Sequence, residues 1–181
     1  MQAVYVYCVK QNAAVHVQGG EYGNALQAAS AGGHEAVVRL LLEKNADIHA
    51  QGGFYGNVLQ VASAGSHKAL VRLLLEKNAD VHAQGGEYGN ALQAASAGGH
   101  EAVIRLLLEK SADIHAQGGK YGNAFQAASA GGHKAVVRLL LGMNADVHAQ
   151  GGEYGNALQA ASAGGHEAVV RLLQESQRQA L

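Results

Sequence analysis

The string Tyr-Gly-Asn recurs at Tyr22, Tyr55, Tyr88, Tyr121 and Tyr154, always 33 residues apart. A strict period of this length constrains the fold more than any other feature. One unit is too short to bury its own apolar face, so copies must stack on one another. Residues 21–53 and 87–119 differ only in Ile104 for Val38 and Ser111 for Asn45. The expected organisation is a single repeat domain over 1–181. Residues 1–20 form a half repeat, since 10–20 match 43–53. Full repeats follow at 21–53, 54–86, 87–119 and 120–152, and 153–181 form a capping repeat.

Each unit contains two helical stretches separated by glycine. The first runs from about Ala25 to Ala31. Asn24 is placed to cap it through its side-chain oxygen, and Gly32 and Gly33 end it. The second runs from about Glu35 to Lys44. Ala36, Val37, Leu40 and Leu41 recur at helical spacing, with Leu42 widening the stripe. Glu35–Arg39 and Arg39–Glu43 are i,i+4 pairs, and Asn45 suits a left-handed cap. Residues 47–54 then read as an extended, glycine-turned finger. Neither helix is long enough to be stable alone, so stacking must supply the burial.

The pattern Leu26, Ala29, Gly33-His34, Val37-Val38, Leu40-Leu41-Leu42 and Ala46-Asp47-Ile48, repeated along the chain, resembles the ankyrin repeat, whose period is also 33. The resemblance implies an all-α repeat solenoid: a stack in which each unit has a β-hairpin-like finger, an inner helix and an outer helix. This chain departs from the family in several places. The family's Thr-Pro-Leu-His is Asn24-Ala25-Leu26-Gln27, the Gly after the outer helix is Asn45, and the finger's Lys-Asp is Gln51-Gly52. The wording Tyr-Gly-Asn-Ala-Leu-Gln-Ala-Ala-Ser is similar to ankyrin arrays of filamentous fungi, often the sensor part of NACHT-type receptors. No phosphate-binding Gly-Lys-Ser/Thr loop is present, so this sequence carries no such receptor engine.

Composition excludes several functions. With 13 Lys+Arg, 14 Asp+Glu and a net charge of −1, no large face can neutralise nucleic-acid phosphates or hold acidic lipid. No apolar run reaches the ~18 residues of a membrane span. The start, MQAVYVYCVK, lacks the basic region of a secretion signal, and one Cys cannot form an internal disulfide. The expectation is an intracellular, cytoplasmic protein without nucleic-acid or membrane partners.

The ten His form two ladders, one opening the outer helices (His34, His67, His100, His133, His166) and one at the base of the fingers (His16, His49, His82, His115, His148). Equivalent residues in stacked helical layers lie ~8–10 Å apart, too far for successive rungs to share an ion bound at ~2 Å. Both ladders are therefore read as structural, bonding turn backbone, and no metal or cofactor is expected. The Ser ladder (Ser30, Ser63, Ser96, Ser129, Ser162) invites a nucleophile reading, but nothing singles out one copy or orients a base. Packing at the helix ends is the expected role, and no catalytic residue is assigned. Glu35, Lys68, Glu101, Lys134 and Glu167 alternate in sign at one position, which predicts a charge ladder that fixes register and stabilises little.

The fingers are the predicted protein-binding element. Each carries Tyr (Tyr22, Tyr55, Tyr88, Tyr121, Tyr154) beside the most variable position of the repeat: Glu21, Phe54, Glu87, Lys120, Glu153. The resemblance implies that fingers and inner helices form a concave binding surface, and a row of Tyr offers rigid amphipathic contacts. Two roles are open to the Tyr row: anchoring a partner, or packing between adjacent fingers. The inner-helix ends, Ala31-Gly32 and its repeats, form a uniform face suited to a periodic partner or to self-association. The expected function is a non-catalytic protein-interaction scaffold; the competing readings are a self-assembling structural protein, as homodimer or filament through the N-terminal end, and, as the resemblance implies, a sensor fragment of a NACHT-type receptor. Residues 1–9 are predicted to be a lone outer helix. Val4, Tyr5, Tyr7 and Cys8 there replace Val37, Val38, Leu40 and Leu41, so an apolar end is left for an N-end to N-end homodimer. At the other end, Gln174 replaces Leu42 and the finger gives way to a polar tail.

Overall fold

The computed structural model describes residues 17–179. Ten helices occur among them, in five antiparallel pairs. These are α1 (Ala25–Ala31) with α2 (Glu35–Glu43), α3 (Val58–Ala64) with α4 (Lys68–Glu76), α5 (Ala91–Ala97) with α6 (Glu101–Glu109), α7 (Ala124–Ala130) with α8 (Lys134–Gly142), and α9 (Ala157–Ala163) with α10 (Glu167–Gln179). Each odd-numbered helix packs on its own partner and on the odd-numbered helix of the next repeat. The result is the two-layered stack that the 33-residue period requires.

The local chemistry follows the asparagines. Asn24, Asn57, Asn90, Asn123 and Asn156 stand in extended backbone, and their Oδ1 atoms accept from the backbone N–H of Gln27, Gln60, Gln93, Gln126 and Gln159 at 2.8–3.0 Å. Each inner helix therefore starts at a satisfied cap. After the outer helices, Asn45, Asn78, Ser111 and Asn144 take left-handed φ values of 59–66°. That reverses the chain toward the next finger.

The core is one continuous row of small and branched side chains. Leu26, Leu59, Leu92 and Phe125 of the inner helices meet Leu41, Leu74, Leu107 and Leu140 of the outer helices. A fully buried leucine such as Leu74 contributes about 2 kcal/mol. The buried stripe of the outer helix differs from the expected one. Val38 is completely buried while Ala36 is exposed; Leu40 is half-buried, although its equivalents Leu73 and Leu106 in the central repeats are buried. A solenoid helix is covered by its own partner and by the next repeat, so its buried stripe is centred between two neighbours rather than one.

The expected charge ladder on the outer helices does not form among the described residues. Glu35, Glu101 and Glu167 pair with Arg39, Arg105 and Arg171 of their own helices at 2.6, 2.7 and 3.2 Å, while Lys68 and Lys134 are exposed. An arginine one turn away is within reach without crossing to another repeat. The Arg39–Glu43 pair is likewise not made, because the guanidinium is committed to Glu35.

Candidate interaction surface

The fingers comprise residues 18–24, 51–57, 84–90, 117–123 and 150–156. In each of the last four, the first glycine N–H donates to the glycine carbonyl four residues on, as from Gly52 to Gly56 at 2.7 Å and from Gly118 to Gly122 at 2.8 Å. The second glycine is required by proximity. Gly53 has φ 67°, and a Cβ there would overlap the Tyr22 backbone of the preceding finger. That approach lets Phe54 N–H donate to the Glu21 carbonyl at 2.7 Å. The same bond runs from Glu87 to Phe54 (2.9 Å), Lys120 to Glu87 (2.8 Å) and Glu153 to Lys120 (2.8 Å). The variable position of the sequence is thus a backbone-linked column along the finger tips.

A second bond anchors each of these last four fingers to the preceding inner helix. Gln27 Nε2 donates to the carbonyls of Gly52 (3.0 Å) and Gly56 (3.1 Å). Gln60 does so to Gly85 and Gly89, Gln93 to Gly118 and Gly122, and Gln126 to Gly151 and Gly155, all at 2.9–3.2 Å. These glutamines are buried. Sequence reasoning gave them no role. The signal was there: a long polar side chain recurring invariantly inside a helix otherwise made of Ala, Leu and Ser, where it must find a partner.

The five tyrosines stack beside the column. Successive ring centroids lie 6.1, 5.9, 6.1 and 6.3 Å apart, with planes 3–24° from parallel. Packing between fingers and exposure to a partner therefore coexist: each ring touches its neighbours, yet Tyr22 is exposed and the other four are half-buried. Phe54 meets Tyr55 and Tyr88 edge to face at 5.2 and 6.2 Å and remains 45% exposed. Lys120 sits between Glu87 (3.6 Å) and Glu153 (3.8 Å), with its Nζ 5.9 Å from the Tyr121 ring centroid. Its pKa is raised, first by Glu153, then by Tyr121 and Glu87. Burial raises the pKa of Tyr55 and Tyr88. Neighbouring tyrosines reinforce this, as does Glu21 at Tyr55 and Glu87 at Tyr88, while Lys120 opposes it at Tyr88. All ten finger residues singled out in the sequence, from Glu21 and Tyr22 to Glu153 and Tyr154, lie on this one strip. Val4, Tyr5, Tyr7 and Cys8, named for self-association, lie outside the described residues.

The two histidine ladders differ. Nε2 of His67, His100, His133 and His166 lies 2.8–2.9 Å from the carbonyls of Ala31, Ala64, Ala97 and Ala130 in the preceding repeat. These are the structural bonds the sequence suggested. His49, His82, His115 and His148 are exposed instead. There the Oδ1 of Asp47, Asp80, Asp113 and Asp146 accepts the histidine backbone N–H at 2.8–2.9 Å, so aspartate holds that turn. Ser30 and Ser129 are buried and donate to the carbonyls of Leu26 and Phe125 at 2.8 Å, consistent with packing.

The family model described as ankyrin repeats (3 copies) matches residues 1–85, 25–118, 59–151 and 92–180. The chain belongs to the ankyrin-repeat family. It is also similar to the azaphilone pigments biosynthesis cluster protein L of Monascus ruber. The two are 69% identical over 29 residues, which is 16% of this chain and 6% of that protein. Ankyrin repeats are generally protein–protein interaction modules and typically non-catalytic, so this ankyrin array implies protein partners. No helix among the described residues is long and apolar enough to cross a membrane.

Proposed function

We propose that this ankyrin array is a non-catalytic scaffold that docks a protein partner along the finger strip. The five tyrosines are its anchors, and the column of Glu21, Phe54, Glu87, Lys120 and Glu153 sets the choice of partner. The observation that carries this reading is the tyrosine stack itself. Rings already ordered by their neighbours need little further ordering when a partner covers them, and partly wet aromatic surface is what interfaces use as anchors. The backbone column and the glutamine tethers hold the rings at fixed intervals, which suits an extended or repetitive partner.

The test compares the unmodified chain with the Tyr88→Ala, Tyr121→Ala double variant. Proteins retained by the immobilised unmodified chain should be lost from the variant, while circular dichroism shows the same helical content and cooperative unfolding. Equal retention by a folded variant would remove the strip from consideration.

A further inference from the structure

The finger strip contains its own template for a ligand. At Glu87–Lys120–Glu153, a cation lies between two carboxylates and near an aromatic ring. The triplet Glu21–Phe54–Glu87 is built on the same backbone column, with bonds of 2.7 and 2.9 Å in place of 2.8 and 2.8 Å. Its outer positions are again glutamates, but its centre is a phenyl ring, 45% exposed, where Lys120 stands one triplet on. Glu21 has no ion-pair partner among the described residues, and Glu87 is bound only on its Lys120 side.

We propose that Phe54, flanked by Glu21 and Glu87, receives an arginine side chain from the partner protein; this rests on the finger strip being the docking surface. The chemistry matches on three counts. The half-exposed phenyl ring, set edge to face against Tyr55 and Tyr88, gives an apolar, π-rich floor, on which a planar guanidinium stacks better than an ammonium. The carboxylates on both sides supply the acceptors that a guanidinium fork requires. The local field is negative: Glu21 is felt at Tyr55 and Glu87 at Tyr88, each raising the tyrosine pKa. In the next triplet Lys120 neutralises that field from within, so the array presents one open cation position and one closed one.

The chain has only two phenylalanines, and the other, Phe125, is buried. Protein carrying ring-labelled phenylalanine therefore gives an NMR reporter at the site and one inside the core. The probe is the capped peptide Gly-Ser-Arg-Ser-Gly, with Gly-Ser-Gln-Ser-Gly as its neutral control. The Phe54 signals should shift saturably with the arginine peptide while those of Phe125 stay still, and the glutamine peptide should produce no saturable shift. The Glu21→Gln, Glu87→Gln variant should bind about three- to tenfold more weakly, the range expected for losing partly exposed charge contacts. In Phe54→Lys, which copies the Lys120 triplet, labelled Tyr55 replaces Phe54 as reporter and should not respond. Equal response to both peptides, no response at Phe54, or undiminished binding by the glutamine variant would overturn the proposal. If the peptides fail to discriminate while Tyr88→Ala, Tyr121→Ala still loses protein partners, the arginine site alone is wrong. If those partners persist on that variant, the strip reading itself is wrong.

Discussion

His133 Nε2 lies 2.8 Å from the carbonyl of Ala97, one repeat earlier in the chain. Its ring occupies a slot framed by glycine: a Cβ on Gly131 would lie 2.5 Å from it, and one on Gly99 would overlap it. At the other end of the inner helix, Gln93 reaches forward to Gly118 and Gly122. Each junction is therefore tied twice and in opposite directions, the glutamine holding the next finger and the histidine holding the previous helix end. Apolar stacking alone allows neighbouring repeats to slide; these directional bonds fix their register.

The glutamine tie should be strong where a finger follows and weak where none does. Gln93→Leu removes the side-chain donor to the Gly118 carbonyl and one of two donors to Gly122. The expected loss is about 2 kcal/mol of unfolding free energy in urea. Gln159 is exposed, and its side chain holds no finger among the described residues, so Gln159→Leu should change stability by less than about 0.5 kcal/mol. Equal losses at the two positions would show that the tie is not what matters.

Ser66 carries a cost that its equivalents avoid. It adopts φ 62°, where Gly33, Gly99 and Gly132 adopt 66, 73 and 71°. A side chain at those glycines would meet the histidine ring of the next repeat. Ser66→Gly should therefore stabilise the array by about 1 kcal/mol, the usual size of the left-handed penalty. Thermal unfolding measures it; a lower midpoint would mean that Ser66 contributes a compensating contact.

Helices and caps were legible in the sequence because they depend on residues three or four apart. Asn24, Ala25–Ala31 and Asn45 behave as their local chemistry dictates. What crosses between repeats was harder to see. Gln27 reads as surface by residue type, and its bond to Gly52 spans 25 positions. The buried Val38 and exposed Ala36 reflect a neighbour on each side of the helix. The Tyr row was visible as a row, but stacking also requires the backbone column that brings ring centroids within about 6 Å. Glycine made that approach feasible, and Gly53 could have signalled it.

Phe125 replaces the leucine found at 26, 59 and 92 yet is equally buried. Its neighbours have accommodated the larger ring, so Phe125→Leu opens space rather than relieving crowding. The expected cost is about 1 kcal/mol in chemical denaturation. Stabilisation by Phe125→Leu would show that the ring overpacks this repeat.

The tyrosine stack makes an alkaline prediction with a definite sign. Tyr88 has its pKa raised above the ordinary value near 10, first by burial, then by Tyr121 and Glu87. A group whose folded pKa lies above its unfolded one stabilises the fold fully below the unfolded pKa. That contribution is lost as pH rises through the folded pKa. Stability should therefore fall once pH exceeds about 10, as phenolates form against one another in the stack. Lys120 opposes the shift at Tyr88. Its own pKa is raised, first by Glu153, then by Tyr121 and Glu87. Lys120→Met should then push the Tyr88 midpoint higher while leaving the midpoint of urea unfolding at neutral pH little changed, since the ion pairs are partly exposed to solvent. NMR titration of ring-labelled tyrosine, with Tyr88→Phe to assign the signal, reads both effects. A Tyr88 midpoint that falls or stays fixed in Lys120→Met would show that the lysine's field does not reach the ring.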